Sequence, residues 1–301
     1  MGSITCFKSA MSFCLVLCIA VSAAADEDAH QIELARDYEV GSSFELVAEV
    51  EIAGQFIFEV DGEVVLDHVE SKSVRLHAVC EPLELDEEGD LQQLSISLLD
   101  CEIHNDGVLL DVDRERKIVV SGGSGDSLQF AYENDDDVSQ GLVDAISPAL
   151  NSLYRDQIEE TVRQLRLDEP RRVGETWEMD KEAFIADSMN DGLQIESAED
   201  VTSQVSFVEL RTDEDGAAFA SLTSHTLVSK MLPVDAPFTD PVCEGEMEIT
   251  YEIVTPLDRR FRPGMETVTF SVDLIVTGES EDGKPARTET VYTGSVHTAI
   301  D

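Results

Sequence analysis

A mostly β fold, made of two related antiparallel β modules joined by a helical segment, is what this sequence predicts, with each module a twisted half-barrel or sandwich-like unit. Three observations carry that expectation: strict period-two alternation of apolar and polar residues, turn dipeptides between the alternating runs, and a single stretch with helical spacing. Phe44, Leu46, Ala48, Val50 and Ile52 alternate with Glu45, Glu49 and Glu51, and Leu94, Ile96 and Leu98 alternate with Ser95 and Ser97. Met247, Ile249, Tyr251 and Ile253 oppose Glu246, Glu248, Thr250 and Glu252, and Val268 to Val276 repeat the pattern against Thr267, Thr269, Ser271, Asp273 and Thr277. Each run reads as a strand with one face in the core and one in water. Asp61-Gly62, Asn105-Asp106-Gly107, Asp191-Gly192 and Asp282-Gly283 mark the turns between such runs.

The exception runs over residues 138–167, where Val138, Leu142, Ile146, Leu150, Leu153, Tyr154, Ile158, Val162 and Leu165 fall three and four apart. Ser147-Pro148 looks like an N-cap followed by proline at the first helical position, so two helices are expected, the second starting there. The predicted organisation is a signal peptide over 1–25, β module 1 over 26–135, a helical connector over 136–170 and β module 2 over 171–301.

The two modules carry an internal echo. "YEVGSSFELV" at 38–47 and "RRVGETWEMD" at 171–180 share Val-Gly-x-(Ser/Thr)-aromatic-Glu, with 133 residues between Gly41 and Gly174. "LELDEEG" at 83–89 and "VELRTDEDG" at 208–216 follow in the same order, with 127 residues between Gly89 and Gly216. Two landmarks at nearly one offset point to a duplicated unit. The residue types suit packing and turn formation, so Phe44 and Trp177 are expected to anchor each module's core, with Gly41 and Gly174 turning the chain before them.

The N-terminus reads as a secretory signal. Lys8 is the sole charge before Asp26, an apolar run from Met11 to Val21 follows, and Ala23 and Ala25 provide the small-x-small exit. That run is too short for a membrane span, which takes ~20 residues, and Cys14 and Cys18 lack the small preceding residue that lipidation requires. An exported soluble protein, secreted or periplasmic, is therefore expected, without membrane insertion after cleavage. Sixty-four acidic against 20 basic residues give a formal net charge of -44. Such a surface repels phosphate backbones and argues against nucleic acid as a partner. The acids are spread along the chain, as a solvation device would be, and 42% hydrophobic residues are enough for a core.

Beyond the signal, Cys80, Cys101 and Cys243 remain. "HAVC" at 77–80 and "CEIH" at 101–104 would set Cys80 opposite Cys101 and His77 opposite His104 if the strands paired about a sum of 181. A Cys80–Cys101 disulfide follows from that register in an oxidising compartment; a Cys2His2 metal site is the alternative, although residues three apart on a strand face opposite ways. A turn at Glu87-Glu88-Gly89 instead centres pairing near 176, with Pro82 able to shift it by a bulge. Whether Cys243 pairs is left open by the sequence. "SGGSGDS" at 121–127 lacks the second glycine of a nucleophile elbow and reads as a hairpin loop. "NDDD" at 134–137 and "DEDG" at 213–216 do not fit the calcium-loop pattern. Arg259-Arg260-Phe261-Arg262-Pro263 is a basic island that could bind an anion; pairing with surface carboxylates is the favoured reading. No catalytic residue, metal or cofactor is assigned.

By Tyr38 and Gly41, by Pro170 with Val173–Trp177, and by Gly278 with Asp282-Gly283, the chain resembles an uncharacterised family of exported bacterial proteins. Members combine a signal peptide with a mid-chain Val-x-Val-Gly-(Asp/Glu)-(Ser/Thr)-Trp landmark; here Arg171-Arg172 replace the apolar approach. The resemblance implies export and a β-rich fold, and no activity. The function expected is a non-enzymatic binding or structural protein with an unknown ligand or protein partner. A carrier of a hydrophobic ligand or lipid in a curved β cup is the alternative, and a hydrolase drawing on the carboxylates comes third.

Overall fold

The computed structural model describes residues 29–300, apart from 35–36, 88, 123–127, 135, 151–152, 191–192, 214–215, 234–237, 259–263 and 281. The expected signal peptide, most of the "SGGSGDS" loop, the Asp191-Gly192 turn and the basic island lie outside the described residues. The fold is mostly β, 62% strand and 13% helix.

One antiparallel sheet of twelve strands dominates. From one margin it runs β7 (Gln129–Tyr132), β6 (Ile118–Ser121), β4 (Leu91–Asn105), β3 (Glu63–Leu85) and β2 (Phe44–Val60). It continues with β16 (Pro285–Ile300), β15 (Gly264–Glu279), β14 (Thr239–Pro256), β12 (Ala218–Val228), β11 (Val201–Thr212) and β9 (Thr176–Trp177), with β5 (Val108–Leu109) added to β4. Its margins β7 and β9 do not meet, so the sheet is not closed into a barrel. Two small ladders lie off it, β1 (Ala29–His30) with β8 (Arg171–Arg172) and β10 (Leu193–Ile195) with β13 (Met231–Pro233).

The predicted alternating runs supply the long central strands, and their apolar faces are buried or half-buried. Leu46, Ala48 and Val50 on β2 are fully enclosed while Glu45, Glu49 and Glu51 face water. Two apolar clusters form beneath the single sheet. The first joins β2, β3, β4 and β6 to the helix α1 (Gln140–Leu150). The second joins β11, β12, β14 and β15 to α2 (Arg155–Leu165), α3 (Lys181–Asn190) and Ile32 of the N-terminal stretch. β16 bridges them, paired throughout with β15 on one side and β2 on the other.

Two helices occupy the predicted helical stretch, but the break is not at Ser147-Pro148. Pro148 lies inside α1, and the second helix starts at Arg155. A proline there cannot donate to the carbonyl of Asp144, which would normally cost the helix ~3 kcal/mol. Lys72 Nζ from β3 donates to that carbonyl instead, at 2.6 Å. The tertiary contact fills the vacancy the proline leaves, and the helix continues through it. The sequence reading missed α3. Its first turn is capped by Asp180, whose carboxylate accepts from the Ala183 N–H at 3.0 Å, and it buries Asp187 and Ser188 beside Phe184, which blurs the apolar stripe. No described helix is long and apolar enough to cross a membrane.

Candidate functional site

The two Val-Gly motifs build the same turn. Ser42 N–H donates to Glu39 C=O at 3.1 Å and Glu175 N–H to Arg172 C=O at 2.9 Å. Gly41 and Gly174, third in each turn, sit at φ 80° and 81°, a region open to glycine at little cost. Each glycine N–H then docks on the neighbouring strand, Gly41 on the Pro82 carbonyl at 3.1 Å and Gly174 on that of Phe207 at 2.7 Å. Three residues on, Phe44 pairs with Cys80 and Trp177 with Val205. The second landmarks match as well. Asp86 and Asp213 each accept, through the carboxylate, from the N–H four residues ahead, Asp90 at 2.9 Å and Ala217 at 2.8 Å.

Phe44 is buried in the first cluster at 3% exposure. Trp177 is half-buried against the second, so its anchor differs in kind. Its Nε1–H donates to the Leu165 carbonyl at 2.7 Å, and the Arg171 guanidinium lies 4.6 Å from its ring centroid. Arg171 Nη2 donates to the Arg166 carbonyl at 3.1 Å and Nη1 to Glu175 at 3.0 Å. Trp177 Nε1 and Arg171 Nη2 thus take up carbonyls at the α2 C-terminus, where unpaired acceptors and a cation are complementary. Glu175 is held below the usual carboxylate range, first by the Arg172 N–H and then by Arg171. Arg171 is thus what ties the motif to the helix.

The cysteine expectation does not hold. β3 and β4 pair near the sum set by the Glu87–Gly89 turn, placing Cys80 opposite Ile96 and Cys101 opposite Leu76. Cys80 and Cys101 both face the core but stand several residues apart along the ladder, beyond the ~7 Å Cα separation a disulfide tolerates, and all three described thiols are free. Burial pushes the Cys80 thiol up to about 12. It lifts Cys101 to about 11, with Arg114 pulling down and Asp100 up. His77 and His104 sit on the opposite, solvent face with Glu45 and Glu102, so the four groups of the alternative metal site do not converge. Among the described residues no group of three or more histidine, cysteine or acidic side chains is placed to hold a metal ion.

Among the described residues a cavity lies where the motif-tethered helix meets the N-terminal stretch. It has a volume of about 1100 Å³ and opens between Gln31–Leu34, one face of α2, the chain leaving it at 166–168, and the start of α3. Ile32, Leu34, Ile158, Val162, Leu167 and Met179 supply its apolar floor. Charged groups surround it, among them Glu33, Asp168, Glu182, Arg163, Arg166 and Lys181. Arg163 is fixed by two bonds to Asp187, 2.7 and 2.8 Å, which also accepts from Gln164 at 2.9 Å. Burial alone would raise the Asp187 carboxyl, but the bonds from Gln164 and Arg163 and the Arg163 charge outweigh it and hold it below the usual range. That cluster pins α2 to α3 and so sets the width of the cleft. A shallower groove of about 540 Å³ on the solvent face of the sheet is lined by hydroxyls, among them Ser71, Ser73, Thr293 and Ser295, with Glu51 and His104. Sequence reasoning named none of the cleft residues as a site, because they come from four stretches that only the fold brings together. No protein-family model matches the chain, and no curated protein matches it.

Proposed function

We propose that the chain is an exported, non-enzymatic binding protein built from two duplicated β units, and that it takes a small amphipathic ligand into the cleft beside α2. The observation that carries this is the cleft itself: an apolar floor drawn from three separate elements, ringed by charge, with a volume of about 1100 Å³. Ligand sites are typically concave, largely apolar and about 300–1,000 Å³. The cleft's walls are pinned by Arg163–Asp187 and by the Trp177 and Arg171 bonds to the end of α2, which supports a preformed site rather than a packing defect. Trp177, the single tryptophan, is one carbonyl away from that wall and serves as a built-in reporter.

The test is an environment-sensitive dye of the anilinonaphthalene type, competed with medium-chain amphiphiles while Trp177 emission is followed. Saturable dye binding, displaced by the amphiphile and lost in Val162→Phe with an unchanged thermal melt, is expected. Dye binding indifferent to Val162→Phe would sink the cleft as the site. A carrier of a hydrophobic ligand is the second reading, favoured by the apolar floor. Organic extraction of the purified protein separates the two, since a carrier yields near-stoichiometric lipid and a simple binding protein yields none.

A further inference from the structure

We infer that the outer edge of β3 between Glu63 and Glu70 is a docking site for an extended basic peptide, which adds to the sheet as a further strand. β3 pairs with β2 along this whole stretch, from Val60–Glu63 onward. Among the described residues its other edge has no ladder partner. Pairing with β4 begins only at Lys72–Asn105, and Asp106 closes the ladder by bonding Ser71 through both its amide, 2.7 Å, and its carboxylate, 2.9 Å. Among the described residues no strand lies beside 63–70, so alternate backbone N–H and C=O groups there point outward, the template that strand addition uses.

The side chains along this edge are those of a strand that expects a neighbour. Val64, Val65, Leu66 and Val69 are 58%, 62%, 49% and 64% exposed. The strands that end the sheet are short, four residues in β7 and two in β9. A bulge between Phe58 and Glu59 displaces Val65, and regular pairing with β2 holds from Leu66 onward, so Leu66–Glu70 is the flat part of the site.

Charge selects the occupant. Glu63, Asp67 and Glu70 punctuate the apolar residues, and no lysine or arginine appears until Lys72. A second copy is disfavoured, because an antiparallel register centred on this edge sets Glu63 against Glu70 at both ends, and each chain carries -44. Across a β ladder opposite charges attract and apolar side chains pack. On β3 one face presents Asp67 and Val69, the other Leu66 and Glu70. The complementary strand therefore carries both basic and apolar residues on each face, a period of four.

The probe is a fluorescein-labelled octapeptide, Lys-Lys-Val-Val repeated twice, titrated into the full chain and followed by anisotropy and amide hydrogen exchange. Salt-sensitive binding is expected, with slowed exchange confined to residues 66–70 and their ladder. N-methylating alternate amides of the peptide leaves its charge and removes strand pairing, and is expected to weaken binding about tenfold or more. The pair Glu63→Lys with Asp67→Lys, both at exposed positions, is expected to lose the basic peptide and gain its Glu-Glu-Val-Val counterpart, with an unchanged melt. Equal binding of the N-methylated peptide would show mere attraction to an acidic surface and overturn the inference. So would protection elsewhere, no binding, or concentration-dependent dimerisation that protects 66–70 without peptide.

Discussion

Tyr38 and Arg171 stand at one position in two like-built turns, three residues before Gly41 and Gly174, and both reach for a backbone carbonyl of the helical layer. The Tyr38 hydroxyl donates to Leu153 C=O at 3.3 Å and its ring lies 5.9 Å from Phe44. Arg171 donates to Arg166 C=O and stacks on Trp177. One turn is secured by an aromatic pair over a dry core, the other by a buried cation over an indole. The difference extends inward: the first cluster is walled by Leu46, Ala48, Val50 and Leu76, whereas the sheet above the second buries Ser203, Ser224, Thr226 and Thr255. Ser224 Oγ, Ser221 Oγ and Arg171 Nε are buried in this half without a partner among the described residues. A shared backbone frame thus carries a hydrophobic anchor in one half and a polar, helix-positioning anchor in the other, and the cleft lies beside the second.

That contrast can be broken in order of size. Phe44→Ala opens a void in the tighter core and is expected to cost about 3–5 kcal/mol in urea unfolding. Trp177→Ala, half-buried but losing an indole hydrogen bond, is expected to cost about 2 kcal/mol, and a cost equal to that of Phe44→Ala would erase the distinction. Arg171→Met removes a buried cation and is expected to cost about 1–3 kcal/mol, with weakened dye binding in the cleft, whereas Tyr38→Phe costs about 1 kcal/mol or less and leaves the dye untouched. Gly41→Ala and Gly174→Ala should cost the same, about 1 kcal/mol each, because both have positive φ and open space where the Cβ would go; unequal losses would mean that the turns are not equivalent.

Two chemical probes sharpen the comparison further. Asp187 has its folded pKa below the unfolded value, so the stability it lends is present above the ordinary carboxylate range, about 3.9, and is lost as pH falls through the depressed value. Asp187→Asn is expected to remove part of the acid-induced loosening of the second half, read as flatter dye binding between pH 5 and acid. Alkylation at pH 8 should label half-buried Cys243 first, then Cys101, then Cys80, following exposure and the raised thiols; early labelling of Cys80 would indicate that the first core opens more readily than the second.

The strands were legible because their alternation is driven by burial of one face, as Phe44–Val50 and Val268–Val276 show. The turns at Gly41 and Gly174 were legible because positive φ leaves a residue-type signature. β16 was not, since "PARTETVYTGSVHTAI" alternates threonine and serine on both faces and is defined by its two neighbours. Pro148 misled because the proton donor that rescues Asp144 lies 72 residues upstream. The Cys80–Cys101 register failed by a few residues, the distance between a ladder drawn from matching residue types and one set by its turn. The cleft was invisible for a related reason, as it belongs to helix ends and an N-terminal crossing that only tertiary contacts align.

β16 has a kinetic consequence. β2 and β15 belong to different halves of the chain and share a sheet only through it, with contacts such as Ile300–Leu46 spanning most of the sequence. Such long-range pairing is slow to form, because loop-closure entropy is spent before the contacts repay it. Each half can collapse on its own helices early, but the continuous sheet waits for residues 285–300 to slide between two exposed edges. A refolding experiment should therefore show an early phase in helix content and a late one in hydrogen-exchange protection of β2 and β15, and the interval between them is the time during which those two edges are open to other chains.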